Sequence, residues 1–167
     1  MKFLFASDSF KGTLSSEQII TLLDAAAKNV FPDCETMGIP VADGGEGTID
    51  AVISVLHGSI YEVDVHGPLM EEVVSRYGET GNGAAVIEMA AASGLPMVPV
   101  DKRDPRVTTT YGTGELIKTA LDRGCRDITI AIGGSATNDG GMGAMRALGI
   151  HFLDENGEEL PGCGNDL

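Results

Sequence analysis

The chain has 167 residues, of which 43% are hydrophobic and 22% are charged, a composition typical of one or two folded domains. Eleven Lys and Arg against 25 Asp and Glu give a net charge of -14, which argues against binding to nucleic acid or to an anionic membrane. The three cysteines follow no metal-binding or disulfide pattern and favour a cytoplasmic location, and the apolar run at residues 3–6 is too short for a signal peptide.

Strand and helix patterns alternate over residues 1–67. We predict strands at residues 3–6 and 36–40, each followed by an amphipathic helix, and the first helix begins with a capping box of Ser15 and Gln18. Such alternation predicts parallel strands joined by helical crossovers, with functional residues in the loops that leave the carboxyl ends of the strands. Residues 1–67 are therefore expected to form a Rossmann-like α/β part.

Residues 68–167 are expected to form a second α/β part. Short turns separate three strands predicted in and just before it, at residues 61–65, 73–77 and 85–89. Consecutive strands of this kind indicate an antiparallel section, so the fold class is α/β with a Rossmann-like parallel sheet and a mixed or antiparallel addition. Further along we predict helices at 115–123 and 141–148, a strand at 127–132 between them, and a last strand from Ile150 to a turn at Asn156 and Gly157.

Four segments rich in glycine, hydroxyl and acidic residues stand at the junctions between apolar segments, namely residues 8–12, 42–48, 108–115 and 132–141. Glycine costs backbone entropy and is used where the chain takes a positive φ or where a ligand approaches the backbone. Turns alone explain four such segments poorly. We interpret them as the walls of a phosphate-handling active site.

The segment at 132–141 is the strongest of the four. A predicted strand leads into Gly133, Gly134 and Ser135, whose N–H groups can face an anion together with the positive end of the next helix. Thr137 and Asn138 add neutral hydrogen-bonding groups, and Asp139 suits Mg²⁺ or a hydroxyl. The alternative is a glycine-rich turn in which Asp139 only caps a helix.

The other segments offer candidates of lower specificity. Asp43 is placed to cap a helix or to bind a metal or a hydroxyl, with Glu46 nearby, and solvated capping is the alternative. In the first segment, Lys11 can bind a phosphate or carboxylate, although a simple surface lysine is as plausible. Glu88 lies inside an apolar strand, where a partnered structural carboxylate is favoured over a catalytic one.

Five strings of this sequence closely resemble the bacterial class I glycerate kinase family, and they occur in the family's order along nearly the whole chain. They are Asp-Ser-Phe-Lys-Gly at 8–12, Pro-Val-Ala-Asp-Gly-Gly-Glu-Gly-Thr at 40–48, Glu-Met-Ala-Ala-Ala-Ser-Gly-Leu at 88–95, Thr-Thr-Thr-Tyr-Gly-Thr-Gly-Glu-Leu-Ile at 108–117 and Ile-Gly-Gly-Ser-Ala-Thr-Asn-Asp-Gly-Gly at 132–141. The resemblance implies an ATP-dependent, Mg²⁺-requiring kinase that converts D-glycerate to 2-phosphoglycerate in the cytoplasm and has two α/β domains.

The family's shared motifs mark a set of site residues, namely Asp8, Lys11, Asp43, Glu46, Thr110, Ser135, Asn138 and Asp139. From their chemistry, Lys11 would hold the glycerate carboxylate or the phosphoryl oxygens, and Asp43 would accept or orient the acceptor hydroxyl. Glu46, Asp8 or Asp139 would hold Mg²⁺, and the loop from Gly133 would hold phosphate.

Members of this family are more than twice as long as the chain, so the second α/β part is expected to be incomplete. A missing C-terminal portion or a second copy of the chain would then complete the molecule. The alternative functions are an inactive ligand-binding module and one fragment of a split enzyme.

Overall fold

The computed structural model describes residues 1–10 and 12–167. It opens with a strand–helix–strand unit made of β1 (Lys2–Ser7), α1 (Ser16–Val30) and β2 (Glu35–Pro40). The two strands pair in parallel, as the alternation predicts. The capping box that opens α1 is present, because Ser15 Oγ accepts the Gln18 N–H and the Gln18 side chain accepts the Ser15 N–H.

A second sheet contains the other strands of the described residues. They are β3 (Ser59–His66), β4 (Glu72–Glu79), β5 (Ala84–Glu88) and β6 (Asp127–Ala131), in that spatial order. The first three strands run antiparallel, as predicted, and β6 pairs with β5 in parallel. The fold is therefore a mixed α/β architecture.

Helices cover both faces of this second sheet. They are α2 (Thr48–Leu56), α3 (Ala90–Ser93) and α4 (Tyr111–Asp122), and α5 (Met142–Ala147) packs on α4. On one face, Ile87 and Tyr77 pack with Leu116 of α4 in the main apolar cluster. On the other, Val86 packs against Ile49 and Ile53 of α2. Residues of β5 therefore alternate between the α4 face and the α2 face, as the two-residue period of a strand requires.

One predicted strand differs from the structure. The strand expected from Ile150 is wrong: among the described residues this segment forms only one isolated bridge, between Leu153 and Glu159, beside the turn at Gly157. The chain ends in a short 3-10 helix at Gly164–Asp166.

The expected boundary at residue 67 does not coincide with the division between the two sheets. The strand β3 lies before that boundary, yet it pairs with β4 over its whole length, from Ser59 opposite Glu79 to His66 opposite Glu72. The sheets therefore divide between β2 and β3, and the division into two domains stays a prediction.

The first sheet leaves one apolar face uncovered. Leu4 pairs with Met37, and their side chains are 61% and 63% exposed. Ile39 continues the same face, whereas Phe3 turns to the other side and packs against the tilted ring of Phe31 beside α1. None of the helices in the described part of the chain is long and apolar enough to cross a membrane.

Candidate functional site

An open cavity of about 750 Å³ lies where the predicted loops meet. Gly12 from the loop after β1, Gly45 and Glu46 from the loop after β2, and Gly134 from the loop after β6 all line it. The segment from the end of β5 into α3 forms another wall, through Glu88 and its neighbours. Three of the four glycine-rich segments therefore converge on one cavity, which lies at the carboxyl ends of the strands.

Backbone hydrogen bonds hold these loops against each other. Gly133 N donates to Gly44 O at 2.8 Å, and Leu95 N donates to Gly134 O at 2.9 Å. Gly133 also permits a close approach, because a Cβ there would lie 2.8 Å from both Gly44 O and Gly45 Cα. The loops after β2 and β6 therefore form one braced wall rather than two independent turns.

The fourth glycine-rich segment, residues 108–115, lies behind the cavity wall, where its Thr110 binds Asp139 from the loop after β6. Asp139 is 1% exposed, and its Oδ2 accepts Thr110 N at 2.7 Å, Thr110 Oγ1 at 2.8 Å and Gly143 N at 3.2 Å. Its Oδ1 accepts Gly141 N at 3.0 Å. Thr110 Oγ1 in turn accepts Ala144 N. This network joins the starts of α4 and α5, an arrangement that favours helix capping over metal binding by Asp139.

The hydroxyl groups in the loop after β6 form hydrogen bonds within that loop. Ser135 Oγ lies 2.8 Å from Thr137 Oγ1 and accepts Thr137 N at 3.0 Å, which shapes the loop as a short turn. Gly134 has a φ of +76° that glycine adopts without strain, and Asn138 is exposed. Gly134 is the residue of this loop that lines the cavity, whereas the hydroxyl groups of Ser135 and Thr137 are partly occupied with one another.

The predicted acidic residues take different positions. Glu46 is exposed and lines the cavity, whereas exposed Asp43 accepts Gly45 N at 2.9 Å and thereby shapes the loop beside it. Asp8 Oδ1 accepts Ser9 N at 2.7 Å. The predicted phosphate or carboxylate ligand Lys11 lies outside the described residues; its neighbour Gly12 lines the cavity.

Metal binding requires substrate oxygens in addition to protein ligands. Among residues 1–10 and 12–167, no group of three or more His, Cys, Asp or Glu side chains is arranged to hold a metal ion. Mg²⁺ usually takes only one or two carboxylates and fills its remaining positions with phosphate oxygens and water. Glu46, exposed beside the loop after β6, fits that kind of site.

Sequence reasoning missed Arg76 and ranked Glu88 as structural. Arg76 of β4 lines the cavity, and its two terminal nitrogens bind Asp50 of α2 at 3.0 and 2.6 Å. The Asp50 carboxylate raises the pKa of Arg76 above its already high value. Glu88 is 4% exposed, and burial raises the pKa of its carboxyl group, partly offset by the hydrogen bond from Ile49 N. A lone charged residue in an apolar strand was the available signal for Glu88. The strand β4 also carries Glu72 and Glu79, so no comparable signal marked Arg76.

Comparison with known proteins gives consistent results. The model of the glycerate kinase family matches residues 3–167. Glycerate kinase of Bacillus subtilis strain 168 is 52% identical over 166 residues, which is 98% of this chain and 44% of the relative. Glycerate 2-kinase of Escherichia coli K12 is 49% identical over 168 residues, which is 100% of this chain and 44% of the relative.

A solved structure shares the fold. The crystal structure of a protein assigned as glycerate kinase 2 from Salmonella typhimurium LT2 superposes with a TM-score of 0.83 at 47% identity, covering 98% of this chain and 44% of that one. The chain thus spans less than half the length of these relatives. The match over residues 3–167, together with these identities, shows that the chain belongs to the glycerate kinase family.

Proposed function

We propose that the protein containing this chain transfers the γ-phosphoryl group of ATP to D-glycerate and forms 2-phosphoglycerate. The observation that carries this proposal is the convergence of three glycine-rich loops on one cavity, in a chain about half identical to glycerate kinases. The name of the Escherichia coli relative, glycerate 2-kinase, supports the 2-position. The expected cofactor is Mg²⁺.

The proposed chemistry is an in-line phosphoryl transfer, in which catalysis comes mainly from positioning and from neutralising charge. The amides of Gly134 and Ser135 would hold phosphate oxygens, whereas the amide of Gly133, also predicted to do so, already donates to Gly44 O. Backbone amides suit a molecule of net charge -14 because they add no charge of their own. Bound Mg²⁺ supplies positive charge at the phosphate oxygens. Glu46 is the carboxylate best placed to hold it, with Asp8 as the second candidate.

The remaining predicted residues have supporting roles in this proposal. Asp43 shapes the loop after β2 and orients the acceptor hydroxyl, and Lys11 binds the glycerate carboxylate or the phosphoryl oxygens. Thr137 and Asn138 complete the phosphate loop. Thr110 and Asp139 hold that loop in place, and their saturated hydrogen bonds support this role over direct contact with Mg²⁺.

A second candidate function is ligand binding without turnover by the chain alone. It is favoured by the share of the relatives' length that the chain covers, 44%, and by the uncovered apolar face of the first sheet. We propose that the rest of the family's length packs on that face and completes the site, since kinases close a cleft around their substrates to exclude water. A cytoplasmic location agrees with the three free cysteines and with the need for ATP.

The test compares the chain alone with a fusion protein in which the C-terminal portion of the Bacillus subtilis relative follows residue 167. Calorimetry with Mg-ATP and with D-glycerate measures binding, a coupled assay of ADP release measures turnover, and phosphorus NMR identifies the product. We expect turnover and 2-phosphoglycerate from the fusion protein. A fusion protein that binds both ligands without releasing ADP would favour the binding module, and 3-phosphoglycerate would contradict the proposed position.

A further inference from the structure

Glu88 combines burial with a position on the cavity wall. It is the last residue of β5, its exposure is 4%, and it lines the cavity that the glycine-rich loops surround. The alternation along β5 places it on the same face as Val86, towards α2. Carboxylates are rarely buried to this degree without a specific partner or function.

The partners of Glu88 leave it without a direct ionic bond. Its Oε1 accepts Ile49 N at 2.7 Å at the start of α2, and the carboxylate also accepts the backbone N–H of Gly47, which has no capping side chain of its own. Arg76 of β4 faces it, but the guanidinium of Arg76 is held by Asp50 of α2 instead. The other carboxylates that line the cavity are Glu46 and Glu62, and the charge of Asp50 on α2 also raises the pKa of Glu88. Burial in these surroundings raises the pKa of the Glu88 carboxyl group, which makes it a stronger proton acceptor than an exposed carboxylate.

Glu88 is also adjacent to the loop proposed to hold phosphate. In the parallel pair of β5 and β6, Glu88 lies opposite Ala131, and Gly133 and Gly134 follow two and three residues after Ala131. Neighbouring strands are about 4.8 Å apart, so the carboxylate and the loop amides flank the same end of the cavity. Gly134 and Glu88 both line it. An acceptor hydroxyl that attacks a phosphate held by the loop would therefore lie within reach of Glu88.

Resting on the proposed kinase function, we propose that Glu88 is the catalytic base that takes the proton from the attacking hydroxyl of glycerate. The hydroxyl oxygen forms a bond to the γ-phosphorus, the bond from that phosphorus to the bridging oxygen breaks, and ADP leaves with the electron pair. The proton passes to the Glu88 carboxylate and is released to water after the product leaves. Asp43, whose carboxylate is turned onto its own loop, orients the substrate.

The test is the Glu88→Gln variant of the fusion protein. Its amide oxygen can still accept the Ile49 N–H bond, so the start of α2 is preserved while the proton acceptor is lost. We expect kcat to fall by at least about 100-fold with the KM for Mg-ATP within about twofold of wild type, since general bases contribute on this scale. Glu88→Asp keeps a carboxylate and should retain part of the activity. The control is Glu72→Gln, which removes the charge of an exposed residue on β4 and should leave kcat unchanged.

Dependence on pH separates a base from a merely structural carboxylate. In the wild-type fusion protein, kcat should fall as the pH drops through the raised pKa of Glu88, and this decline should be absent from the residual activity of Glu88→Gln. Circular dichroism and Mg-ATP binding verify that the Glu88→Gln variant is folded. If it does not fold, the activity of Glu88→Asp and the dependence of wild-type kcat on pH decide whether Glu88 is the base. A kcat for Glu88→Gln within about threefold of wild type overturns the proposal and leaves Glu88 as a cap of α2. Absence of glycerate turnover in wild type contradicts the proposed function itself.

Discussion

The carboxylate of Asp139 joins segments that are far apart in sequence. It accepts two hydrogen bonds from Thr110 and one each from Gly141 and Gly143, so the starts of α4 and α5 depend on it. A buried carboxylate with this many donors is costly to neutralise or to remove, because each donor loses its partner in a site that water does not reach.

Asp139→Asn tests this structural role. The amide NH₂ would face N–H donors, so we expect a loss of about 2 kcal/mol or more in unfolding free energy, without added metal. Thermal unfolding of the isolated chain measures it, with the exposed Asp101→Asn as the matched control. A residue that served only to bind Mg²⁺ would leave the metal-free stability unchanged or increased, and that result would contradict a structural role for Asp139.

Glu88 is expected to behave in the opposite way. Its pKa in the folded chain is raised above the ordinary 4.5 by burial, so the native state binds its proton more tightly than the unfolded state does. The contribution of Glu88 to the free energy of unfolding is therefore largest below the pKa that Glu88 has in the unfolded chain. It declines as the pH rises through the raised pKa of Glu88 in the folded chain.

Glu88→Gln should therefore unfold at a higher temperature than wild type at about pH 8, and the difference should shrink towards about pH 4, where wild type is protonated. Thermal melts of both proteins over this range measure the effect, and the difference between them cancels the titration of other groups. Equal melting temperatures at both pH values would show that the charged carboxylate is not penalised in its site.

At the scale of elements, the braced wall depends on the close approach of the loops after β2 and β6. Gly133→Ala would place a Cβ 2.8 Å from Gly44 O and Gly45 Cα, closer than real side chains come. We expect about 1–3 kcal/mol of destabilisation, as for other overpacked sites, together with weaker binding of Mg-ATP. Thermal unfolding and calorimetry measure the two effects.

Gly81→Ala is the matched control, since a Cβ at residue 81 meets no atom within 4 Å and its backbone φ is not positive. Its stability and its binding should stay close to wild type. If Gly133→Ala bound Mg-ATP as tightly as Gly81→Ala does, the brace would have no part in ligand binding.

The features that were predicted correctly depend on residues within a short segment. The apolar residues of β3 and β4 reflect the burial of one strand face, and the capping box joins Ser15 to a residue only three positions away, so each can be predicted locally. The strand expected from Ile150 failed because a strand needs a neighbour, and the described chain offers this segment only the bridge from Leu153 to Glu159.

The site was predictable to the extent that it depends on glycine. Clusters of glycine mark loops, and the parallel topology brings the ends of those loops together, so Gly45 and Gly134 could be expected at one cavity. The contributions of Arg76 and Glu88 could not be, because strand sequence alone does not show which face borders a cavity. The pairing of Thr110 with Asp139 spans 29 residues and likewise depends on tertiary structure.

At the scale of the whole molecule, the first sheet has an uncovered apolar face. Leu4, Met37 and Ile39 form an apolar row on a two-stranded sheet that packs against α1, and a contiguous exposed row of this kind marks an interaction surface. The chain spans 44% of its relatives' length, so the remaining length is the natural cover in our proposal.

The Leu4→Lys, Met37→Lys double variant tests this proposal. Co-expression of the wild-type chain with a separate C-terminal portion of the Bacillus subtilis relative should yield a complex with ADP-releasing activity, because burial of the apolar row drives their association at about 25 cal/mol per Å². The double variant should lose the complex, whereas Val100→Lys, which adds charge at a site 77% exposed, should retain it. Light scattering of the chain alone shows whether a second copy covers the face instead. Association of the double variant at wild-type strength would place the C-terminal portion elsewhere.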